Sequence, residues 1–88
     1  MLLIIVESLE YDFKKIDTTR CVPRGDEFAT LEHAKYACKT RIDCHGILNP
    51  NCSSVTSYVL CNKNAKIISN KFVKDCYYEK YALGEILE

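Results

Sequence analysis

The chain has 88 residues, six of them cysteine, with twelve basic and twelve acidic side chains that cancel to a formal net charge of zero. That length allows one domain, near the lower limit for a core that is stable without cross-links. The cancelled charge excludes a global field that would draw the chain to nucleic acid or an acidic membrane, and no apolar run is long enough to span a bilayer.

The cysteines carry the strongest signal. At roughly 7% of the chain they approach the density of a disulfide scaffold. Cys21, Cys38, Cys44, Cys52, Cys61 and Cys76 include no Cys-x-x-Cys pair. A zinc site drawn from Cys38, Cys44, His45, Cys52 and Cys61 would lack the close ligand pairs such sites use. Three disulfides in an oxidising compartment is the reading that size and spacing favour. No metal and no cofactor is expected.

Taken in order, MLLIIV is six apolar residues followed at once by Glu7, with no basic residue ahead of it. It is too short for the apolar centre of a secretory leader and has no small-residue cleavage site. Residues 2–6 read instead as a buried strand. The chain is accordingly read as secreted or extracellular, with its signal peptide absent from this sequence.

Tyr11 to Asp17 reads as a second strand with Tyr11, Phe13 and Ile16 turned inward and a break at Lys14-Lys15. Residues 18–22 extend toward Pro23, and Arg24-Gly25-Asp26 reads as a turn. A helix is predicted over 31–41, with Thr30 as N-cap and Glu32 in the first turn. Leu31, Ala34, Cys38 and Arg41/Ile42 form its inward stripe, widened by Ala37. Phe28 folds back as a staple-like contact.

Cys44-His45-Gly46 is read as the end of the helical unit, and Ile47-Leu48 as the start of a strand. Asn49-Pro50-Asn51 is a turn. Residues 55–61 have the β-branched and aromatic content of a central strand. Lys66 to Lys74 is read as a polar excursion anchored by Ile67-Ile68 and Phe72-Val73, and 75–81 as the last strand. One helix among four or five strands makes an α+β domain, a single helix packed on a small antiparallel sheet. It is assigned as one domain over 1–88, with a cysteine core over 21–80 and N-terminal strands over 1–20.

Six cysteines permit fifteen pairings, and the sequence alone does not choose among them. Cys44 and Cys52 flank the Asn49-Pro50-Asn51 turn, so the ends of that loop can meet. Cys38 points inward from the helix and Cys61 from the central strand, which leaves Cys21 and Cys76 to tie an early strand to the last.

The string from Phe28 to Lys80 resembles a PAN/apple domain. The resemblance is carried by Ala34, Cys38, the run Cys44-His45-Gly46-Ile47, Cys52, Tyr58-Val59-Leu60-Cys61 and Asp75-Cys76-Tyr77-Tyr78-Glu79-Lys80, with Cys21 completing the set. It implies a helix cradled by an antiparallel sheet and nested bridges Cys21–Cys76, Cys38–Cys61 and Cys44–Cys52. It also implies a secreted or cell-surface module that binds protein or carbohydrate.

Nothing in the chain supplies the named roles of a catalytic site. His33 lies among charged neighbours, and a Cys44 spent in a disulfide cannot act with His45 as a nucleophile. Asn51-Cys52-Ser53 matches the glycosylation pattern. Arg24-Gly25-Asp26 matches an adhesion tripeptide, a match short enough to arise by chance.

For a binding face, Tyr77 and Tyr81 are the tyrosines placed on the side of the last strand opposite Cys76 and are expected to be exposed. Lys63, Lys66, Lys71 and Lys74 form a basic cluster around the late loop that suits a sulfated glycan or an acidic partner. The expected function is an extracellular, non-catalytic recognition module, working at a cell surface or in the matrix within a larger multidomain protein. The competing class is a secreted structural protein, protease inhibitor or toxin-like effector.

Overall fold

The computed structural model describes residues 10–83, so the strand expected over residues 2–6 lies outside the described residues. The elements that follow are β1 (Glu10–Asp17), β2 (Thr19–Val22), β3 (Glu27–Phe28), α1 (Leu31–Thr40), β4 (Cys44–Asn49), β5 (Tyr58–Asn62), β6 (Lys66–Ser69) and β7 (Cys76–Leu83). A 3-10 turn at Pro50–Cys52 follows β4. Five strands form one antiparallel sheet in the order β1-β7-β4-β5-β3, and β2 pairs with β6 as a separate ribbon. The result is a small, disulfide-rich α+β fold.

The helix forms where the sequence places it. Thr30 Oγ1 accepts from the His33 backbone N–H at 3.2 Å, satisfying one of the four free donors of the first turn. Ala34, Ala37 and Cys38 are buried, and the small alanines let the helix axis approach the sheet. The helix stops at Thr40, so Ile42 falls outside the inward stripe and is 94% exposed.

The central strand β4 has neighbours on both edges and is covered on both faces. Ile47 joins Ala34, Cys38, Tyr58 and Leu60 beneath the helix, while Leu48 joins Val59, Cys61, Tyr77 and Cys21 beneath the β2–β6 ribbon. Full burial of Ile47, Leu48 and Val59 contributes about 1.5–3 kcal/mol each. A bulge between Cys44 and Gly46 shifts the alternation, so Cys44 and Ile47, three residues apart, both reach the helix side. Cys44-His45-Gly46 thus opens β4 rather than closing the helical unit.

The disulfides follow from these faces. They link Cys21 to Cys61, Cys38 to Cys44, and Cys52 to Cys76, with Cα–Cα separations of 6.1, 5.1 and 5.0 Å. This corrects the nested set Cys21–Cys76, Cys38–Cys61 and Cys44–Cys52. Cys61 does point inward, but into the cluster beneath the ribbon, where Cys21 of β2 meets it; the sheet lies between it and Cys38. Cys44, brought round by the bulge, faces Cys38 instead. Asn49 pairs with Cys76 across β4 and β7, so the turn that follows Asn49 delivers Cys52 to Cys76. Each bridge restrains the unfolded chain by about 2.5–4 kcal/mol in the loop-entropy picture, and the terms are not additive.

Two strand assignments also change. The strand expected to begin at Val55 begins at Tyr58, and Val55 is solvent-exposed in the preceding loop. Thr56 explains the delay, because its Oγ1 donates to the carbonyls of Pro50 and Ser53 at 3.0 Å and ties residues 50–56 into a local knot. The polar excursion contains a strand, β6, which pairs with β2. Val73 is buried and anchors the excursion as expected, whereas Phe72 is exposed.

Proteolysis under non-reducing conditions followed by mass mapping is expected to recover peptides joined as Cys21–Cys61, Cys38–Cys44 and Cys52–Cys76. Recovery of the nested set would contradict the two-faced packing. Gly46 provides a second check, because a Cβ there would overlap the Tyr77 ring. Gly46→Ala is expected to cost about 1–3 kcal/mol in urea denaturation with the bridges intact, and Tyr77→Phe, which keeps the ring, should not relieve it.

Candidate functional site

Strand β7 reaches the C-terminal end of the helix through Lys80. Lys80 donates to the Cys38 carbonyl at 2.6 Å and to the Arg41 carbonyl at 3.1 Å, supplying the C-terminal end of α1 with donors from a distant strand. A cation is favoured there by the helix dipole. Its ammonium also sits 4.3 Å from the centre of the Tyr11 ring on the neighbouring β1, a cation–π distance. Partial burial lowers the Lys80 pKa, and the Asp43 carboxylate works in the opposite direction.

Around this junction the surface is concave and aromatic. A cleft of about 240 Å³ is lined by Tyr11, Ile42, His45, Lys80 and Tyr81. A second, of about 450 Å³, is lined by Glu10, Tyr11, Tyr36, Lys39 and Thr40. Tyr11 belongs to both, so the two adjoin. Tyr36 is 71% and Tyr81 43% exposed. Ring faces beside ammonium groups and a carboxylate suit a ligand with both apolar and hydroxyl surfaces.

The sequence-predicted site residues divide. Tyr81 borders the first cleft, but it follows Lys80 along β7 and pairs with Asp12, so its ring lies on the face of the sheet opposite Lys80, Tyr11 and the helix. Tyr77 borders neither cleft, and its expected exposure is corrected, since it is 3% exposed between β4 and the β2–β6 ribbon. The alternation along β7 holds, but the face opposite the helix is covered at Tyr77 by the β2–β6 ribbon rather than meeting solvent. The Tyr77 hydroxyl donates to the His45 carbonyl at 3.3 Å, and its pKa is pushed up to about 12 by burial and then by Glu79.

Lys63, Lys66, Lys71 and Lys74 are all exposed but do not form one cluster. Lys63 and Lys66 stand at the start of β6, Lys71 and Lys74 beyond its end. The strand sets the two pairs roughly 10 Å or more apart. Asn51 is exposed in the 3-10 turn, its N–H donating to buried Asp75 at 2.8 Å, and the middle residue of its sequon is bonded to Cys76.

Arg24-Gly25-Asp26 is not a projecting turn. The Gly25 N–H donates to the Leu60 carbonyl and the Leu60 N–H to the Asp26 carbonyl, both at 2.9 Å, which extends the β3–β5 pairing. The Asp26 carboxylate is paired with Arg41 at 2.8 Å, a largely solvated pair of small energetic weight.

The candidate zinc cysteines are distributed among three different bridges. Asp17, Cys52 and Cys76 do place three ligand atoms within 4.8 Å, but the two sulfurs are bonded to each other and are not thiolates.

Sequence reasoning missed Tyr11, Tyr36, Lys39, Ile42 and Lys80 as one surface. An apolar residue just past a helix C-terminus was the available signal for Ile42. The others are joined only by the pairing of β1 with β7 and the packing of α1 over both. No family model matches the chain, and no curated protein or solved structure is detectably similar to it.

The buried Tyr77 hydroxyl gives a pH test. Its folded pKa exceeds the ordinary value of 10.0, so the stability it contributes is complete below pH 10 and is lost as pH rises toward about 12. Absorbance titration is expected to show one late-ionising tyrosine that disappears in Tyr77→Phe. A chain in which every tyrosine titrates near the ordinary value would contradict its burial.

Proposed function

We propose that the chain is an extracellular, non-catalytic recognition module that binds a carbohydrate or protein partner through the surface of Tyr11, Tyr36 and Ile42. One observation carries the reading: large apolar side chains stand exposed together beside Lys39 and Lys80, lining two adjoining clefts. Exposed apolar surface in this concentration, rimmed by polar groups, is characteristic of a contact site. Three disulfides in so small a chain favour an oxidising, extracellular setting. They also hold the surface preformed, which lowers the ordering cost of binding. All six cysteines are paired, so the whole cysteine content serves the scaffold.

A helix on an antiparallel sheet is the coarse arrangement that the resemblance to PAN/apple domains implies, while the disulfide pairing departs from the nested set which that resemblance implies. The late lysines are too dispersed to serve as the primary anchor.

A glycan array and a protein-display screen with the intact disulfide-bonded chain would identify a ligand, and NMR titration would map it. Tyr11→Ala and Tyr36→Ala are each expected to weaken binding about tenfold or more, with folded spectra retained. Lys63→Ala and Lys71→Ala should change it little. A ligand whose affinity depends on the lysines and ignores both tyrosines would overturn the assignment of this surface.

A further inference from the structure

Among the described residues, the first strand of the five-stranded sheet is also its longest open edge. β1 runs for eight residues, and among the described residues its only strand partner is β7. The opposite edge is the two-residue β3. A long open edge is a template for another strand unless it is blocked.

The backbone phase of that edge can be assigned. The Phe13 N–H donates to the carboxylate of its own neighbour Asp12 at 2.8 Å. The Asp17 carbonyl accepts from Thr19 Oγ1 at 3.0 Å. Both groups therefore face away from β7. In an antiparallel strand the N–H and C=O of one residue point the same way and alternate along the chain. Tyr11, Phe13, Lys15 and Asp17 thus present their backbone groups to the open edge, and Asp12 acts as a removable cap on one of them.

We propose that this edge pairs with the same edge of a second copy, antiparallel about a two-fold axis at Phe13. Only registers that set odd-numbered residues opposite odd-numbered residues bring the outward groups together, and charge then selects among them. An axis at Tyr11 sets Glu10 against Asp12; one at Asp12 sets Glu10 opposite Lys14 but that carboxylate against itself; one at Ile16 sets Lys15 opposite Asp17 but overlaps only the last three residues of β1. Axes at Lys14 or Lys15 set a lysine against itself. The axis at Phe13 alone places Asp12 opposite Lys14 of the second copy, twice by symmetry. Opposite charges across a strand pair stabilise it and like charges oppose it.

In that register the two Phe13 residues exchange both backbone bonds, and Tyr11 exchanges them with Lys15 of the second copy. The Asp12 carboxylate leaves the Phe13 N–H for the facing Lys14 ammonium, freeing that N–H for the Phe13 carbonyl opposite. Lys15 of the second copy arrives beside the cleft lined by Glu10, Tyr11 and Tyr36, where a carboxylate and two ring faces suit a cation. The isologous contact closes at two copies and continues the sheet from one copy into the next.

The test is light scattering of the intact, disulfide-bonded chain across roughly 1 μM to 1 mM. The mass is expected to double with concentration. Asp12→Lys and Lys14→Asp are each expected to weaken association about tenfold or more, and the double variant Asp12→Lys/Lys14→Asp to restore it. Amide exchange at Phe13 should slow in the dimer. A single-copy mass throughout would overturn the proposal. So would a dimer indifferent to the single charge reversals, or one in which the Phe13 amide gains no protection.

Discussion

The two-sided burial of β4 is the constraint on which the rest of this structure depends. Strands on both edges satisfy its backbone, a helix covers one face and a two-stranded ribbon the other. Residues that alternate along β4 and β5 must therefore all find partners, one layer or the other. The bulge at Cys44/Gly46 adjusts the phase so that a cysteine and an isoleucine reach the helix together, and Gly46 makes room for the Tyr77 ring. The disulfide pairing follows from this layering, since cysteines on opposite faces of a sheet cannot reach each other.

Lys80 links the core to the surface. Its ammonium satisfies carbonyls at the end of α1 while lying over Tyr11, so one side chain fixes the helix terminus relative to the β1–β7 edge. The exposed aromatics surround that fixed point. Rigidity here comes from the lysine contacts and from the Cys38–Cys44 bridge at the same end of the helix, and a preformed surface loses less entropy when it meets a ligand. The surface and the open edge of β1 lie side by side. Any strand pairing along β1 would set two copies of the aromatic surface in a fixed relation, the geometry from which avidity arises.

Much of the local structure was legible in the sequence because its causes are local. Thr30 caps a helix whose inward residues recur at helical spacing. Asn49-Pro50-Asn51 turns the chain, and Tyr77-Tyr78 lies in a strand because its neighbours favour one. Val55 shows where this reasoning ends. Its composition fits a strand, yet the hydroxyl of Thr56 binds nearby carbonyls and postpones the strand to Tyr58. Ile42 likewise continues the helical period by one step, but the helix has already ended at Thr40.

The candidate site was less legible. Tyr81 was placed on the correct side of its strand, and Tyr77 was given the same environment although the ribbon covers it. Alternation in a sequence reports which residues share a face; it does not report what lies over that face. That requires the pairing of β2 with β6, residues more than forty positions apart. The lysines posed the converse problem, since nearness in sequence suggested a cluster that the extended geometry of β6 separates. By itself, then, the sequence determined a short α+β chain with its helix, its turns and a full complement of disulfide-bonded cysteines, because propensity, capping and redox chemistry act over a few residues. The tertiary structure alone decided which cysteines meet, which tyrosine is buried and which side chains assemble into one surface, because those depend on layers formed between distant segments.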